Sequence, residues 1–259
     1  MRPILRVGAA AVCGRSHRTR GELCQDFALA ERIPDRRVAW AALADGAGSC
    51  AHSGLGAACV TQTSPMIVLG AFDAFLSEPK EAGCRLIRTL QRNLSLVAET
   101  KGIAFRELAS TLLFVCARRT PHATQFVAGH VGDGVIAIRE NGRMRLLSEP
   151  DRGEFANTTT FVTNSQAEES LRVYTGRLIG NLGFILMSDG AADTLYAKHD
   201  RALADGCSRL LGAFDRLPQK RAVRILEKNV QILAESTRTG DDCSLAVLTV
   251  SGLQRTYSL

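Results

Sequence analysis

Three apolar runs of the sequence end at the same pair of residues, an aspartate followed by glycine. The runs are "AALAD" with Asp45, "FVAGHVGD" with Asp133 and "FILMSD" with Asp189. Apolar runs of this kind are typical of buried β-strands. A carboxylate at the end of a buried strand is costly to remove from water, and several together repel one another unless a cation neutralises them. The set therefore predicts strands that converge on a metal site, whereas each Asp-Gly pair taken alone is typical of a plain turn.

Two further aspartates extend this pattern. Asp242 opens the last strand in "GDDCSLAVL", and Asp26 begins the second strand in "CQDFALA". Oxygen ligands that leave room for water suit hard or borderline divalent ions, which favours Mn²⁺ or Mg²⁺. A glycine directly after the ligand lets the backbone carbonyl approach the ion.

The rest of the sequence predicts runs of strands separated by pairs of helices. We expect strands at 4–13, "QDFALAERI", "VAWAALAD", "ASTLLFVCAR", "TQFVAGHVGD", "GVIAIREN", "RMRLL", "GFILMSD" and "DDCSLAVLTV", and helices over 52–77, 81–100, 191–213 and 218–236. Pro65 is expected to break or kink the first helix. Residues 14–24 are expected to form a basic loop, and the polar residues 148–170 a long connection next to a binding site.

Strands that follow one another through short turns favour antiparallel sheets over alternating βαβ units. We therefore expect an α+β fold in which two antiparallel β-sheets pack as a sandwich flanked by α-helices, in four layers. The 259 residues contain no repeat or obvious linker and are expected to form a single domain over 1–259.

Composition argues against several classes of function. The net charge is +6, but the basic residues are scattered without a long run or an aromatic-basic pattern, so nucleic-acid binding is not expected. No stretch reaches the roughly 18 apolar residues of a membrane span, and Arg6 interrupts the first apolar run, which argues against a signal peptide. Eight cysteines without a CxxC pair predict free thiols and a cytoplasmic protein, and Cys50 with His52 lacks a second pair of zinc ligands.

Six motifs in register resemble the metal-dependent protein serine/threonine phosphatases of the type 2C class. They are "CQDFALA", "LADGAG", "ASTLL", "GHVGDG", "LMSDGAADTL" and "GDDCSLAVL", and "GRSHRTRGELCQD" with "GEFANTTTFVT" looks like a short bacterial branch of that class. The resemblance implies the same sandwich fold and hydrolysis of phosphoserine or phosphothreonine by direct attack of a water that two metal ions activate. It also implies phosphorylated proteins as substrates and a cognate serine/threonine kinase as a candidate partner.

The resemblance assigns the metal ligands residue by residue. Asp45 matches the carboxylate that bridges two ions, and the carbonyl of Gly46 matches a ligand of the second ion. Asp189 and Asp242 match the other ligands of the first ion. Asp133 matches a residue that can join a third, weaker ion.

Other positions match supporting residues of the class. Asp26 is expected to act through water or through a neighbouring ligand, and Asp193 to support the site after the "SDG" motif. Ser110 and Thr111 match small hydroxyl residues packed beneath the site. Their expected role is structural.

Three positions depart from the class. Gly21 stands where many relatives carry an arginine that grips the substrate phosphate. His17, Arg18 and Arg20 are the nearby cations, and His17 is the favoured replacement and catalytic candidate, with a solvated loop histidine as the alternative.

Ala47 replaces a histidine proposed as general acid in eukaryotic members, and Gln25 replaces a glutamate. Glu154 and Asn157 are candidates to contact substrate or a further ion, with an ordered surface loop as the alternative.

The competing function from another class is a non-catalytic relative that binds phosphoproteins, and metal-dependent turnover separates the two. A dinucleotide site at "SGLGAAC" is not expected, because Cys59 occupies the third glycine position of that fingerprint.

Overall fold

The computed structural model of the protein describes residues 4–150 and 159–251. The strands of this part of the chain are β1 (Ile4–Val12), β2 (Phe27–Ile33), β3 (Val38–Ala44), β4 (Leu112–Arg119), β5 (Thr124–Val131), β6 (Val135–Glu140), β7 (Arg143–Ser148), β8 (Arg172–Leu178), β9 (Leu182–Met187), β10 (Tyr196–Ala197), β11 (Ala202–Leu203) and β12 (Cys243–Ser251). Its α-helices are α1 (Arg15–Arg20), α2 (Ser53–Gly70), α3 (Phe72–Ser77), α4 (Pro79–Lys101), α5 (Ala167–Ser170), α6 (Asp189–Leu195), α7 (Asp205–Arg216) and α8 (Gln219–Glu235), and a 3₁₀ turn covers Phe105–Leu108.

Two five-stranded sheets form the centre of the fold. The first has the order β1-β12-β9-β6-β7 and the second β2-β3-β4-β5-β8. Every pair of neighbours is antiparallel, as in β1 and β12, where Ile4 lies opposite Ser251 and Val12 opposite Cys243. The expected pair of antiparallel sheets is confirmed.

Strand β3 is apolar along its whole length because both of its faces are buried. Successive side chains point to opposite faces, and both faces of this strand are covered. Ala39, Ala41 and Leu43 belong to the core between the two sheets. Trp40 and Ala42 belong to the core under the helices. No position of β3 is left for a polar side chain.

Helices cover the outer faces of both sheets, which gives the expected four layers. Helix α4 buries Leu86, Leu90 and Leu94 at helical spacing on the side of the second sheet. Helices α7 and α8 cover the first sheet through Phe214 and Leu226. None of the helices that the structure describes combines the length and hydropathy that a membrane crossing requires.

The segment between the first two strands is not the loop that the sequence predicts, because residues 15–20 form helix α1. Pro65 does not break helix α2, which continues to Gly70 before α3 begins. Pro65 and its neighbour Ser64 are buried in the interface between α2 and the second sheet. Packing of this face outweighs the hydrogen bond that proline cannot donate.

Two other elements differ from the sequence prediction. Strand β8 was missed because it is an edge strand whose residues "RVYTGRL" are mostly half-buried, so the apolar pattern is weak. The helix expected over 191–213 is α6, a short β10–β11 hairpin and α7. The polar residues 198–201 form the turn of that hairpin and interrupt the helical spacing.

Substitution of Phe184 tests the packing between the two sheets. It is fully buried in β9, and its ring meets that of Phe126 in β5 edge to face, with the centroids 5.1 Å apart. We expect Phe184→Ala to lower the free energy of unfolding by about 3–5 kcal/mol, because it leaves a cavity between the sheets. Ile232→Ala on α8 is the control, since Ile232 is 56% exposed, and it should change stability by less than about 0.5 kcal/mol. Equal effects of the two changes in urea unfolding would contradict this view of the core.

Candidate metal centre

Asp45, Asp133 and Asp189 come together at one end of the sandwich. Asp45 follows β3, Asp133 lies in the turn from β5 to β6, and Asp189 follows β9 as the first residue of α6. Carboxylate oxygens of the three residues lie within 4.8 Å of one another. Strands from both sheets therefore bring three negative charges to a single place.

These carboxylates lie in a cavity of about 600 Å³. Its lining also contains Gly46, Asp193 and Asp241, which add a backbone carbonyl and two more carboxylates. The cations of the lining, among the described residues, are His17, Arg20 and Arg238. The cavity is thus strongly acidic, with basic side chains limited to a few positions.

Burial and mutual repulsion disfavour the charged forms of the acidic side chains. Burial, followed by the charges of Asp26 and Asp189, raises the pKa of Asp45 well above its usual range. Burial raises the pKa of Asp26 to about 6, with the charge of Asp242 adding to the shift. Burial raises the pKa of Asp189 to about 7, and the nearby charges of Asp133 and Asp241 act in the same direction.

The residues fit one or more hard divalent cations. The ligands are all oxygen atoms, and the carboxylates are too close to remain ionised together without a positive charge. Asp26 lies behind the cavity and is 5% exposed. Neither of its carboxylate oxygens accepts a hydrogen bond of good geometry from the described residues. A cation would satisfy the cluster, and water in its coordination shell would supply donors to Asp26.

The backbone at Asp45 is fixed by the start of β4. The Asp45 N–H donates to Thr111 Oγ1 over 2.9 Å, and the Thr111 N–H donates back to the Asp45 carbonyl over 2.9 Å. Gly46 forms an isolated antiparallel bridge with Ser110. A Cβ atom at Gly46 would come within 2.8 Å of Ser53, so only glycine fits this close approach. These contacts agree with the structural role expected for Ser110 and Thr111.

Asp242, which the sequence analysis expected among the metal ligands, is not part of the cavity lining. It is 1% exposed. Its Oδ1 accepts the Gly14 N–H over 2.6 Å, and its Oδ2 accepts the Gln25 N–H over 2.6 Å. Burial opposes its ionisation, but these two donors, together with His17, lower the pKa of Asp242 below its usual range. Asp242 is a structural anion that holds the first loop of the chain.

Asp241 takes the place expected for Asp242. It lines the cavity, and its charge contributes to the raised pKa values of Asp45 and Asp189. The chain bends at Asp241, and the Asp242 N–H donates to Asp241 Oδ1 over 2.8 Å, so the two neighbouring carboxylates have different surroundings. Gly190 allows the approach of this segment to α6, since a Cβ atom there would lie 2.2 Å from the carbonyl oxygen of Asp242.

The three cations proposed to bind phosphate have different surroundings. His17 lines the cavity and is 6% exposed, with Nδ1 2.9 Å from Asp242 Oδ1. Arg20 also lines the cavity, but it forms an ion pair with Glu22. Arg18 donates to the carbonyl of Cys13 over 2.8 Å and is not part of the lining. The structure therefore does not support Arg18 as a phosphate ligand.

Sequence reasoning also missed Thr159 and Phe161, which line the cavity. Thr159 Oγ1 donates to Asp133 Oδ2 over 2.5 Å, so the polar connection contacts a candidate metal ligand directly. The motif "GEFANTTTFVT" gave the only sequence signal for it. Glu154 and Asn157 lie outside the described residues. Asp193 lines the cavity, and its Oδ1 lies 3.5 Å from Lys198 Nζ.

The raised pKa values predict how the metal-free protein responds to pH. In the folded state Asp26 and Asp189 keep protons up to about pH 6 and 7, whereas the unfolded chain releases them near about pH 4. The folded state therefore binds more protons in this window, and its stability falls as pH rises. In EDTA, Asp189→Asn should show a smaller loss of melting temperature between pH 5 and 8 than the wild type. Parallel curves would contradict the assigned repulsion.

The neighbouring aspartates should respond in opposite ways to loss of charge. Asp241→Asn removes one of several repelling carboxylates, so we expect the metal-free protein to keep or gain stability while Mn²⁺ binding weakens by about tenfold or more. Asp242→Asn replaces an oxygen that accepts a backbone N–H with an amide donor, so we expect a loss of about 2 kcal/mol of stability. Thermal unfolding in EDTA and Mn²⁺ calorimetry measure the two effects. A destabilised Asp241→Asn with normal Mn²⁺ affinity would reverse the assignment.

Comparison with known proteins agrees with this architecture. The model of the family described as "Protein phosphatase 2C" matches residues 13–229 of the chain. The chain is 25% identical to serine/threonine-protein phosphatase 3 of Escherichia coli K12, over 92% of this chain and 95% of that protein.

Solved structures with the same fold include PppA of Pseudomonas aeruginosa, described as a key regulatory component of T6SS. Its TM-score is 0.62 at 17% identity, over 96% of this chain and 100% of that one. The S. agalactiae serine/threonine phosphatase gives a TM-score of 0.60 at 17% identity, over 95% of this chain and 99% of that one. Because the family match extends over far more than half of the sequence, this chain belongs to the protein phosphatase 2C family.

Proposed function

We propose that the chain hydrolyses phosphoserine and phosphothreonine in proteins by direct attack of water on phosphorus, in the cavity that contains Asp45, Asp133, Asp189 and Asp241. Membership of the family makes it a metal-dependent serine/threonine phosphatase, as the resemblance implied. The observation that carries the assignment to this cavity is the convergence of three strand-end carboxylates within 4.8 Å.

The proposed ligands of the divalent ions are carboxylates and one carbonyl. Asp45, the Gly46 carbonyl, Asp189 and Asp241 would hold the ions, and Asp133 would be available to a further ion. All of them line the same cavity. When bound, such ions supply a hydroxide nucleophile at neutral pH and offset negative charge on the phosphoryl oxygens. Mn²⁺ and Mg²⁺ both suit this ligand set, and the choice between them is part of the proposal.

The thiols near the site favour water over a cysteine nucleophile. Burial raises the pKa of Cys243 to about 12, and nearby carboxylates raise it further. Burial likewise raises the pKa of Cys13 and of Cys24. The thiolate is the reactive form, so these cysteines are poor nucleophiles at neutral pH. In this mechanism the metal ions supply the nucleophile, and the protein holds the acidic cluster and orients the phosphate beside it.

His17 is proposed to shape the phosphate side of the cavity. Its Nδ1 lies 2.9 Å from Asp242 Oδ1, and its Nε2 lies 3.7 Å from Glu22 Oε2. This arrangement supports a role in holding the wall formed by α1. Ala47 also lines the cavity and carries no group that can donate a proton, so the leaving-group proton is proposed to come from solvent.

A phosphoprotein-binding module without activity is the competing proposal. Such a protein would be expected to lose carboxylates of the cluster, whereas Asp45, Asp133, Asp189 and Asp241 are all present here. The Escherichia coli relative is a serine/threonine-protein phosphatase, which supports phosphorylated proteins as the substrate class. A cognate kinase, the cytoplasmic location and the single domain over 1–259 stay predictions.

Turnover with defined metals tests this proposal. Purified protein is assayed with a small aryl phosphate and a phosphothreonine peptide in Mn²⁺, in Mg²⁺ or in EDTA. We expect activity only with metal, and a loss of about 100-fold or more in Asp189→Asn, because the variant lacks a metal-binding charge. Asp73→Asn is the control, since Asp73 is exposed, pairs with Arg118 and does not line the cavity. No turnover by folded, metal-loaded wild type would reject the enzyme in favour of the binding module.

A further inference from the structure

Arg238 differs from the other cations of the acidic cavity. It lies in the segment 236–242 between α8 and β12, three residues before Asp241, and its side chain is exposed at the cavity. It makes no hydrogen bond and no ion pair with any residue that the structure describes. Its guanidinium is therefore available to a ligand.

The remaining cations of the lining are already paired with carboxylates. Arg20 Nε and Nη2 lie 2.9 and 2.8 Å from Glu22 Oε2. His17 Nδ1 lies 2.9 Å from Asp242 Oδ1. Asp193, which could pair with Arg238 because it lines the same cavity, lies 3.5 Å from Lys198 instead. Among the described residues, no carboxylate of the acidic lining forms an ion pair with Arg238.

The backbone that carries Arg238 is held in place. The carbonyl of Gly240 accepts the Ser16 N–H over 2.8 Å, and Thr239 Oγ1 accepts the Asp241 N–H over 3.1 Å. Thr239 is buried directly after Arg238. A cation on a fixed segment can meet an anion with little loss of backbone freedom. The same segment places Asp241 in the cavity, so Arg238 keeps a defined position relative to the acidic cluster.

We infer that Arg238 is the side chain that binds the phosphate group of the substrate, an inference that rests on the proposed function. The carboxylates of the cavity repel a phosphate dianion. Its binding therefore needs positive charge from the metal ions at the cluster and from a side chain at the solvent-facing edge of the cavity. Guanidinium suits this task, because it is always charged and offers two parallel N–H donors to phosphate oxygens. Arg238 would thus position the substrate and favour phosphorylated ligands. A lysine at this position would keep the positive charge but would lose the two parallel N–H donors.

Steady-state kinetics and binding test this role with three variants, Arg238→Ala, Arg238→Lys and the control Arg224→Ala. Arg224 is exposed on α8, outside the cavity lining, and its loss changes the net charge by the same amount. With Mn²⁺-loaded protein and a phosphothreonine peptide, Arg238→Ala should raise KM, and the inhibition constant of inorganic phosphate, by about tenfold, the loss expected for charge-assisted hydrogen bonds. Arg238→Lys should recover part of the loss, and Arg224→Ala should match the wild type. Mn²⁺ affinity by calorimetry should be unchanged in all three.

The outcomes separate this inference from the proposed function. If the wild type turns over and Arg238→Ala matches Arg224→Ala in KM and in phosphate inhibition, the inference is wrong and the enzyme stands. If the wild type has no activity, the proposed function fails, and calorimetry of inorganic phosphate with Mn²⁺-loaded protein then decides the role of Arg238. Weaker phosphate binding by Arg238→Ala supports it, whereas equal binding, or no binding by the wild type, overturns it.

Discussion

Repulsion among carboxylates is the constraint on which the site depends. Asp45 and Asp189 are brought together by the ends of strands whose other residues are buried. The fold is formed by apolar packing, and it places these charges in contact although their mutual energy is unfavourable. This repulsion lowers the stability of the folded protein, and a bound cation can reverse the loss. The packing that forms the sandwich therefore also creates the affinity for metal. Burial raises the pKa of Asp189, and the neighbouring carboxylates of Asp133 and Asp241 raise it further.

A second anion has the opposite role. Asp242 accepts the N–H groups of Gly14 and Gln25 and lies beside His17, so it ties the two ends of the α1 segment to the start of β12. Its neighbour Asp241 has the repelling environment of the cavity. Two adjacent residues of one type therefore have different surroundings, since Asp241 lines the cavity whereas Asp242 accepts two backbone N–H groups.

Much of the fold and part of the site could be predicted from the sequence. Continuous apolar runs identified the central strands, and the Asp-Gly pairs identified Asp45, Asp133 and Asp189. The sequence analysis chose Asp242, whereas Asp241 lines the cavity, since "GDD" gives no sign of which carboxylate has backbone donors beside it. Strand β8 was missed because an edge strand needs few apolar residues. Arg238 had no sequence signal, because its distinction is the lack of a partner, and pairing depends on the tertiary structure.

The carboxylates of the cluster come from different sheets, which affects how the two sheets can move apart. Asp45 extends from the second sheet and Asp189 from the first, so an ion shared by them would cross the seam where the two sheets meet. Any motion that separates the sheets must then break coordination bonds, and ion binding stabilises the packed form by mass action. The ion would act as a cross-link between the sheets at the end of the sandwich. Amide exchange in β3 and β9 would slow with metal even though no ligand atom belongs to those strands.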